Sequence, residues 1–117
     1  MTYDLYNRLW LRALDCLSVD EFLADCGDTD LLDLYDNDTD RLLDALLTIW
    51  GVASDGTRYI RARLCMSRAQ FSEAFQIPLR TLENWESKGG NSRKPPEYIV
   101  SALALAAGIY PFEVRRD

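Results

Sequence analysis

Ile77 to Ser87 reads IPLRTLENWES, and within it Arg80, Thr81 and Asn84 stand among apolar residues at helical spacing. An arginine fork can donate two hydrogen bonds to the O6 and N7 acceptors of guanine, and an asparagine amide can make a two-point contact with adenine. Threonine offers a hydroxyl or a methyl, and Glu83 nearby can accept from a cytosine amino group or turn away. Such contacts need a helix held from behind, with its polar side facing out. Ser67 and Arg68, at the start of the preceding helix, and Lys88, Asn91, Ser92, Arg93 and Lys94, in the following loop, are suited to gripping phosphates. Backbone N–H groups at helix starts and cationic side chains do that work, and it sets register rather than base choice.

The elements that must position these residues are short helices. RYIRARLCM predicts one, and SRAQFSEAF a second with Ser67 as its N-cap. The pair QI leaves room only for a tight turn, and Pro78 suits the start of a third helix running from about Leu79 to Lys88. Phe71, Phe75, Ile77, Leu82 and Trp85 fall where two crossing helices bury side chains against each other, a helix-turn-helix arrangement. GGNSRKPP then reads as a loop and EYIVSALALAAG as a fourth helix ending at Gly108.

The stretch MSRAQFSEAFQIPLRTLENWES, followed by RKPPEYIVSALALA, resembles the phage-repressor and Cro type (Xre-like) helix-turn-helix family over residues 58 to about 109. The resemblance implies an all-α, lambda-repressor-like bundle of four to five helices that binds duplex operator DNA, usually as a dimer. It also implies a buried ion pair between the first helix and the end of the recognition helix, here Arg61 with Glu86, fixing the angle of the reading helix. Three positions depart from the family pattern. Ser72 stands for a usual alanine, and Gln76 for a usual glycine, where a left-handed conformation costs about 1 kcal/mol. The KGGNSRKPP loop is slightly longer than usual.

The net charge of −6 over 117 residues hides a division. Residues 1–56 hold 13 acidic and 3 basic side chains, whereas residues 57–117 hold 6 acidic and 10 basic, so the halves carry −10 and +4. A positive surface attracts polyanions and a strongly negative one repels them, so two domains with two tasks are expected, an acidic helical accessory module at 1–56 and the helix-turn-helix domain at 57–117. In the acidic half, YDLYNRLWLRALDCL places Leu5, Leu9, Trp10, Ala13, Leu14 and Leu17 on one broad helical face. SVDE predicts a capping box from Ser18 and Glu21, with Gly27 stopping the short helix that follows. TDLLDLY adds a turn or two, and DRLLDALLTIWGVA predicts a helix with Leu42, Leu43, Leu46, Leu47, Ile49 and Trp50 as its apolar side. SDGT, Ser54 to Thr57, is the clearest break. Tyr3, Tyr6, Trp10, Phe22 and Trp50 read either as core or as the lining of a groove for a partner helix or a second copy of the chain, so the module serves dimerisation or partner binding.

Several chemistries are excluded. There is no histidine, no Gly-rich phosphate loop and no paired nucleophile and base, so neither an enzyme nor a cofactor is expected. Cys16, Cys26 and Cys65 are odd in number and widely spaced, which indicates neither a disulfide framework nor a zinc site. DNDTD, Asp36 to Asp40, starts like a calcium loop, but Arg41 replaces the needed glycine and Leu47 the closing glutamate. No apolar run approaches the roughly 20 residues that span a bilayer, and the start lacks a secretory signal, so a cytoplasmic protein is expected. The readings that follow are a sequence-specific duplex DNA-binding transcriptional regulator, a repressor, acting as a dimer; an antitoxin or phage-type inhibitor whose acidic half binds a basic protein; and a protein-interaction bundle without DNA binding.

Overall fold

The computed structural model describes residues 1–26, 29–87 and 95–110, and its regular structure there is entirely helical. The chain divides into two compact units, one of Met1–Ser54 together with Tyr110 and the other of Asp55–Ile109. No helix among the described residues is long and apolar enough to cross a membrane.

In the first unit, α1 (Tyr3–Asp15) begins where the Thr2 hydroxyl accepts the Leu5 N–H at 3.2 Å. It buries Tyr6, Leu9, Trp10 and Ala13, with the Tyr6 and Trp10 rings 5.8 Å apart. The predicted face extends too far. Cys16 turns to extended backbone after Asp15, so Leu17 leaves the helical register and is 95% exposed. In α2 (Val19–Asp25) Ser18 Oγ accepts the Glu21 N–H at 3.2 Å, while the Glu21 carboxylate accepts the Leu17 N–H at 2.9 Å rather than that of Ser18. The capping box is therefore displaced by one residue. Phe22 is fully buried, 5.7 Å from the Trp50 ring, so these aromatics are packed within the unit. The side chain of Tyr3 and the predicted stop at Gly27 lie outside the described residues.

After α3 (Thr29–Leu34), Asp36 and Asn37 take left-handed φ values of 54° and 60°. Short polar side chains tolerate that conformation. Asp38 Oδ1 then accepts the Arg41 N–H at 3.2 Å, starting α4 (Thr39–Asp55). The DNDTD segment is thus a turn and cap, and the described residues contain no cluster of metal-ligating side chains. Helix α4 buries Leu42, Ala45, Leu46, Ile49 and Val52. Leu43 and Leu47, predicted to share the inner side, are exposed, because Ala45, Thr48 and Val52 occupy the buried arc instead. Helix α4 also runs through Ser54 and Asp55, so the expected SDGT break is reduced to one residue.

That residue is Gly56, at φ 56° and ψ −124°, between α4 and α5 (Thr57–Arg63). Helices α6 (Arg68–Phe75), α7 (Leu79–Glu86) and α8 (Glu97–Ala107) complete the second unit. Helix α5 packs on α7 and α8, and α6 packs on α7, around Ile60, Phe71, Leu82, Val100 and Ala104. Helices α5, α6 and α8 end alike. Cys65, Gln76 and Gly108 adopt positive φ, and the next N–H returns to a carbonyl five residues back, Met66 to Arg61, Ile77 to Ser72 and Ile109 to Ala104.

Two substitutions test these features. Gly56→Ala places a Cβ at a φ and ψ that L-residues avoid, and denaturation should show a loss of about 1–3 kcal/mol despite ordinary contact with Val100. Tyr35 is 8% exposed, and its hydroxyl has no hydrogen-bond partner among the described residues. Tyr35→Phe should therefore raise stability by about 1 kcal/mol, and a loss of that size would show that the hydroxyl has a partner after all.

Candidate nucleic-acid interface

Helices α6 and α7 are joined through Gln76, Ile77 and Pro78. Gln76 sits at φ 56° and ψ 40°. This is the left-handed conformation that glycine adopts more cheaply. Ser72 offsets part of that cost. Its hydroxyl donates to the Ile77 carbonyl while its own carbonyl accepts the Ile77 N–H at 3.0 Å, fixing the turn by two bonds that an alanine could not both make. Phe71 and Leu82 are fully buried between the helices, and Phe75 stacks on Phe71 at 4.6 Å. Phe75, Ile77 and Trp85 are half-buried at the edge of this contact. At the start of α6, Ser67 Oγ accepts the Gln70 N–H at 3.1 Å and Gln70 Oε1 accepts the Ser67 N–H at 2.8 Å, closing a full capping box.

The inner end of α7 is held by a polar cluster at Glu86, whose side chain is 1% exposed. Arg61 grips its carboxylate with two nitrogens, Nη2 to Oε1 at 2.7 Å and Nε to Oε2 at 3.3 Å. Thr57 Oγ1 donates to Oε2 at 3.2 Å, and Arg68 Nε to Oε1 at 3.4 Å. Arg58 donates to the Glu86 backbone carbonyl, where a cation also complements the negative end of the helix. Arg61 Nη1 reaches the Met66 carbonyl at 3.3 Å, tying the same guanidinium to the α5–α6 connection. Burial is the largest single influence on the Glu86 carboxyl and pushes its pKa up, but the Arg61 bonds and charge, followed by Arg68 and Thr57, outweigh it. The carboxyl therefore titrates below its ordinary range.

With that side anchored, Leu79, Arg80, Glu83, Asn84 and Ser87 form the exposed arc of α7. Arg80 and Asn84 stand exposed on it, and Thr81 is half-buried on its flank. Leu79 belongs to the arc at 42% exposure. Its apolar character conceals that membership, but its i, i+4 relation to Glu83 reveals it. The predicted helix end at Lys88 is corrected to Glu86. Ser87 turns to extended backbone, its N–H bonding the Asn84 carbonyl.

The expected phosphate ligands divide. Ser67 and Arg68 stand together at the exposed start of α6, and Arg68 is 48% exposed while its Nε bonds Glu86, so its position is set by the same cluster. Lys88, Asn91, Ser92, Arg93 and Lys94 lie outside the described residues. Thr57, Arg58 and Gln70 take part in the site without having stood out in the sequence. Gln70 is legible as the fourth residue of S-x-x-Q, and Thr57, Arg58 and Arg61 share one side of a helix by their spacing.

No protein-family model matches the chain, and no curated protein or solved structure is significantly similar to it.

The cluster predicts a defined pH response. Because the Glu86 pKa is lowered on folding, its contribution is complete above the unfolded carboxyl value of about 4.3 and is lost as pH falls through the folded value. Glu86→Gln should therefore lower unfolding free energy by about 3 kcal/mol at neutral pH, since one partner of a buried ion pair is removed. The deficit relative to the natural sequence should be constant from about pH 6 to 8, and shrink below about pH 4. A deficit unchanged in acid, measured by denaturant titration, would show that charge is not what the carboxylate contributes.

Proposed function

We propose that residues 57–117 form a lambda-repressor-like (Xre-like) helix-turn-helix domain and that the protein is a sequence-specific duplex DNA-binding transcriptional regulator, a repressor, reading the major groove with α7. The observation that carries this reading is the two-sidedness of α7. Its inner end is fixed through Glu86 to residues of α5 and α6, while its outer arc presents Arg80, Glu83 and Asn84 to solvent. Base-edge recognition needs that combination, because a donor contributes to discrimination only if it cannot swing to another base.

Charge supports the same reading. The +4 of residues 57–117 draws this half toward a polyanion, and the capped start of α6 offers backbone N–H groups beside Arg68. Arg80, Thr81 and Asn84 are the base readers; Ser67, Arg68, Lys88, Asn91, Ser92, Arg93 and Lys94 contact phosphates; Arg61 and Glu86 hold the helix. The protein works in the cytoplasm without cofactor or catalysis, as a homodimer whose two copies address a two-fold operator. The exposed Tyr98, Ala102, Leu105 and Ala106 on one side of α8 supply apolar surface in keeping with self-association.

Selection of bound sites from random duplexes, followed by titration of the best site, tests the reading. A recurrent sequence should emerge, and affinity should fall steeply as salt rises, since phosphate contacts release counterions. Arg80→Ala should reduce discrimination at one operator position by about 1–3 kcal/mol, while Lys94→Ala should weaken all sequences alike. Equal loss on every sequence for Arg80→Ala would remove it from the base readers, and no enrichment from the random pool would sink the reading as a whole.

A further inference from the structure

We propose that the exposed side of α4, in the acidic unit, is a docking surface for a basic amphipathic helix of a partner protein. This goes beyond DNA reading and uses none of the residues assigned to it.

Helix α4 already has a buried side, formed by Leu42, Ala45, Leu46, Ile49 and Val52. Its other side carries Leu43 and Leu47, 42% and 41% exposed, one helical turn apart. The half-buried Trp50, whose ring also packs on Phe22, borders their line at the next turn. Intervals of four and then three residues are those at which one helix presents a seam to another. The seam is flanked by charge of one sign. Asp40 and Asp44 are both exposed beside Leu43, and the one basic residue of α4, Arg41, is turned toward Tyr35, its guanidinium 5.5 Å from the ring centroid. The surface is thus a leucine line with an acidic border.

Charge selects the occupant. A second copy of this chain would bring another −10 module against the first, so a homotypic seam gains apolar contact and loses it to repulsion. A polyanion is repelled for the same reason. A helix with a leucine-type stripe bordered by lysine or arginine meets both parts of the surface, laying its stripe on Leu43 and Leu47 and its cations against Asp40 and Asp44. Neutralising those cations gives orientation and speeds encounter, while the leucines supply the apolar burial.

The test uses the full chain and a fluorescent synthetic Leu/Lys helix of about 18 residues, long enough to lie along α4. Two control peptides accompany it: a scramble of equal charge without an apolar stripe, and a Leu/Glu version with the same stripe. The Leu/Lys helix should bind, the scramble should bind at least about tenfold more weakly, and the Leu/Glu helix should not bind. The double variant Leu43→Ser, Leu47→Ser should lose about tenfold in affinity while keeping the circular dichroism of the natural chain, because both side chains are exposed. Asp40→Asn with Asp44→Asn should weaken binding and flatten its salt dependence. Equal binding of scramble and helix would reduce the effect to bulk acidity and overturn the proposal. So would full affinity in the leucine variant, or light scattering that shows a dimer abolished by that variant, which would assign α4 to a second copy.

Discussion

The second unit depends on keeping one carboxylate charged in its interior. Glu86 is buried at the last turn of α7, where the backbone already presents unpaired carbonyls and where a negative side chain is unfavourable on grounds of helix polarity alone. The position is tolerated because Arg61, Thr57 and Arg68 fill the carboxylate oxygens and Arg58 takes the backbone carbonyl. Removing any one donor leaves the others in place, but removing the carboxylate strands a guanidinium that is 20% exposed and whose other bond is to the Met66 carbonyl. The cluster is thus asymmetric: its centre is costly to lose and its periphery is graded. The ion pair adds direction to the packing. An apolar contact at the same site would hold α7 in place, whereas two bonds from one planar guanidinium also restrict its rotation.

Such restriction matters because the helices of this unit are short. Helix α5 has 7 residues, and α6 and α7 have 8 each. All three fall below the length at which an isolated helix persists in water. Their order comes from their ends and from what they bury. The Ser67–Gln70 box closes the start of α6, left-handed residues close the ends of α5 and α6, and Ile60, Phe71 and Leu82 join the three in one core. Two of those left-handed residues are Cys65 and Gln76, each disfavoured there by about 1 kcal/mol relative to glycine. The Ser72 hydroxyl at Ile77 then has a clear role: it fastens the turn that carries Gln76, at the step where α6 hands over to α7.

How far the sequence reveals this follows from the range of each interaction. Ser67 as a cap, the tight turn before Pro78 and the end of α8 at Gly108 are local, and a few residues suffice to read them. The α4 apolar pattern is also visible, but its leucines come in adjacent pairs, Leu42 with Leu43 and Leu46 with Leu47, and a wheel cannot choose which of each pair packs inward; the structure buries Leu42 and Leu46 and continues the buried arc through Ala45 and Val52. Leu17 departs from expectation for a different reason: the helix ends two residues before it, and periodicity beyond a helix end has no meaning. The Glu86 donors lie 18 to 29 residues away in sequence, beyond any spacing rule. The spacing of Thr57, Arg58 and Arg61 sets them on one side of α5, but nothing local joins them or Arg68 to Glu86.

The composition of the α7 arc carries a consequence for the DNA-reading proposal. Glu83 lies on that arc to one side of Arg80, with Asn84 on the other, and a carboxylate entering a groove lined by phosphates is repelled unless a donor meets it. Cytosine N4 is the one major-groove base-edge group that offers a donor without an adjacent acceptor on the same base, so on that proposal Glu83 would disfavour most steps and tolerate one. On that proposal Arg80 and Asn84 would work in the opposite sense, each adding affinity on a matching base. A helix that combines the two would select by attraction along one line and by exclusion beside it, and exclusion requires that the helix cannot rotate to move the carboxylate away. On the same proposal, the rotation that the Arg61–Glu86 pair restrains is what would make Glu83 usable as a discriminator rather than merely a cost to binding.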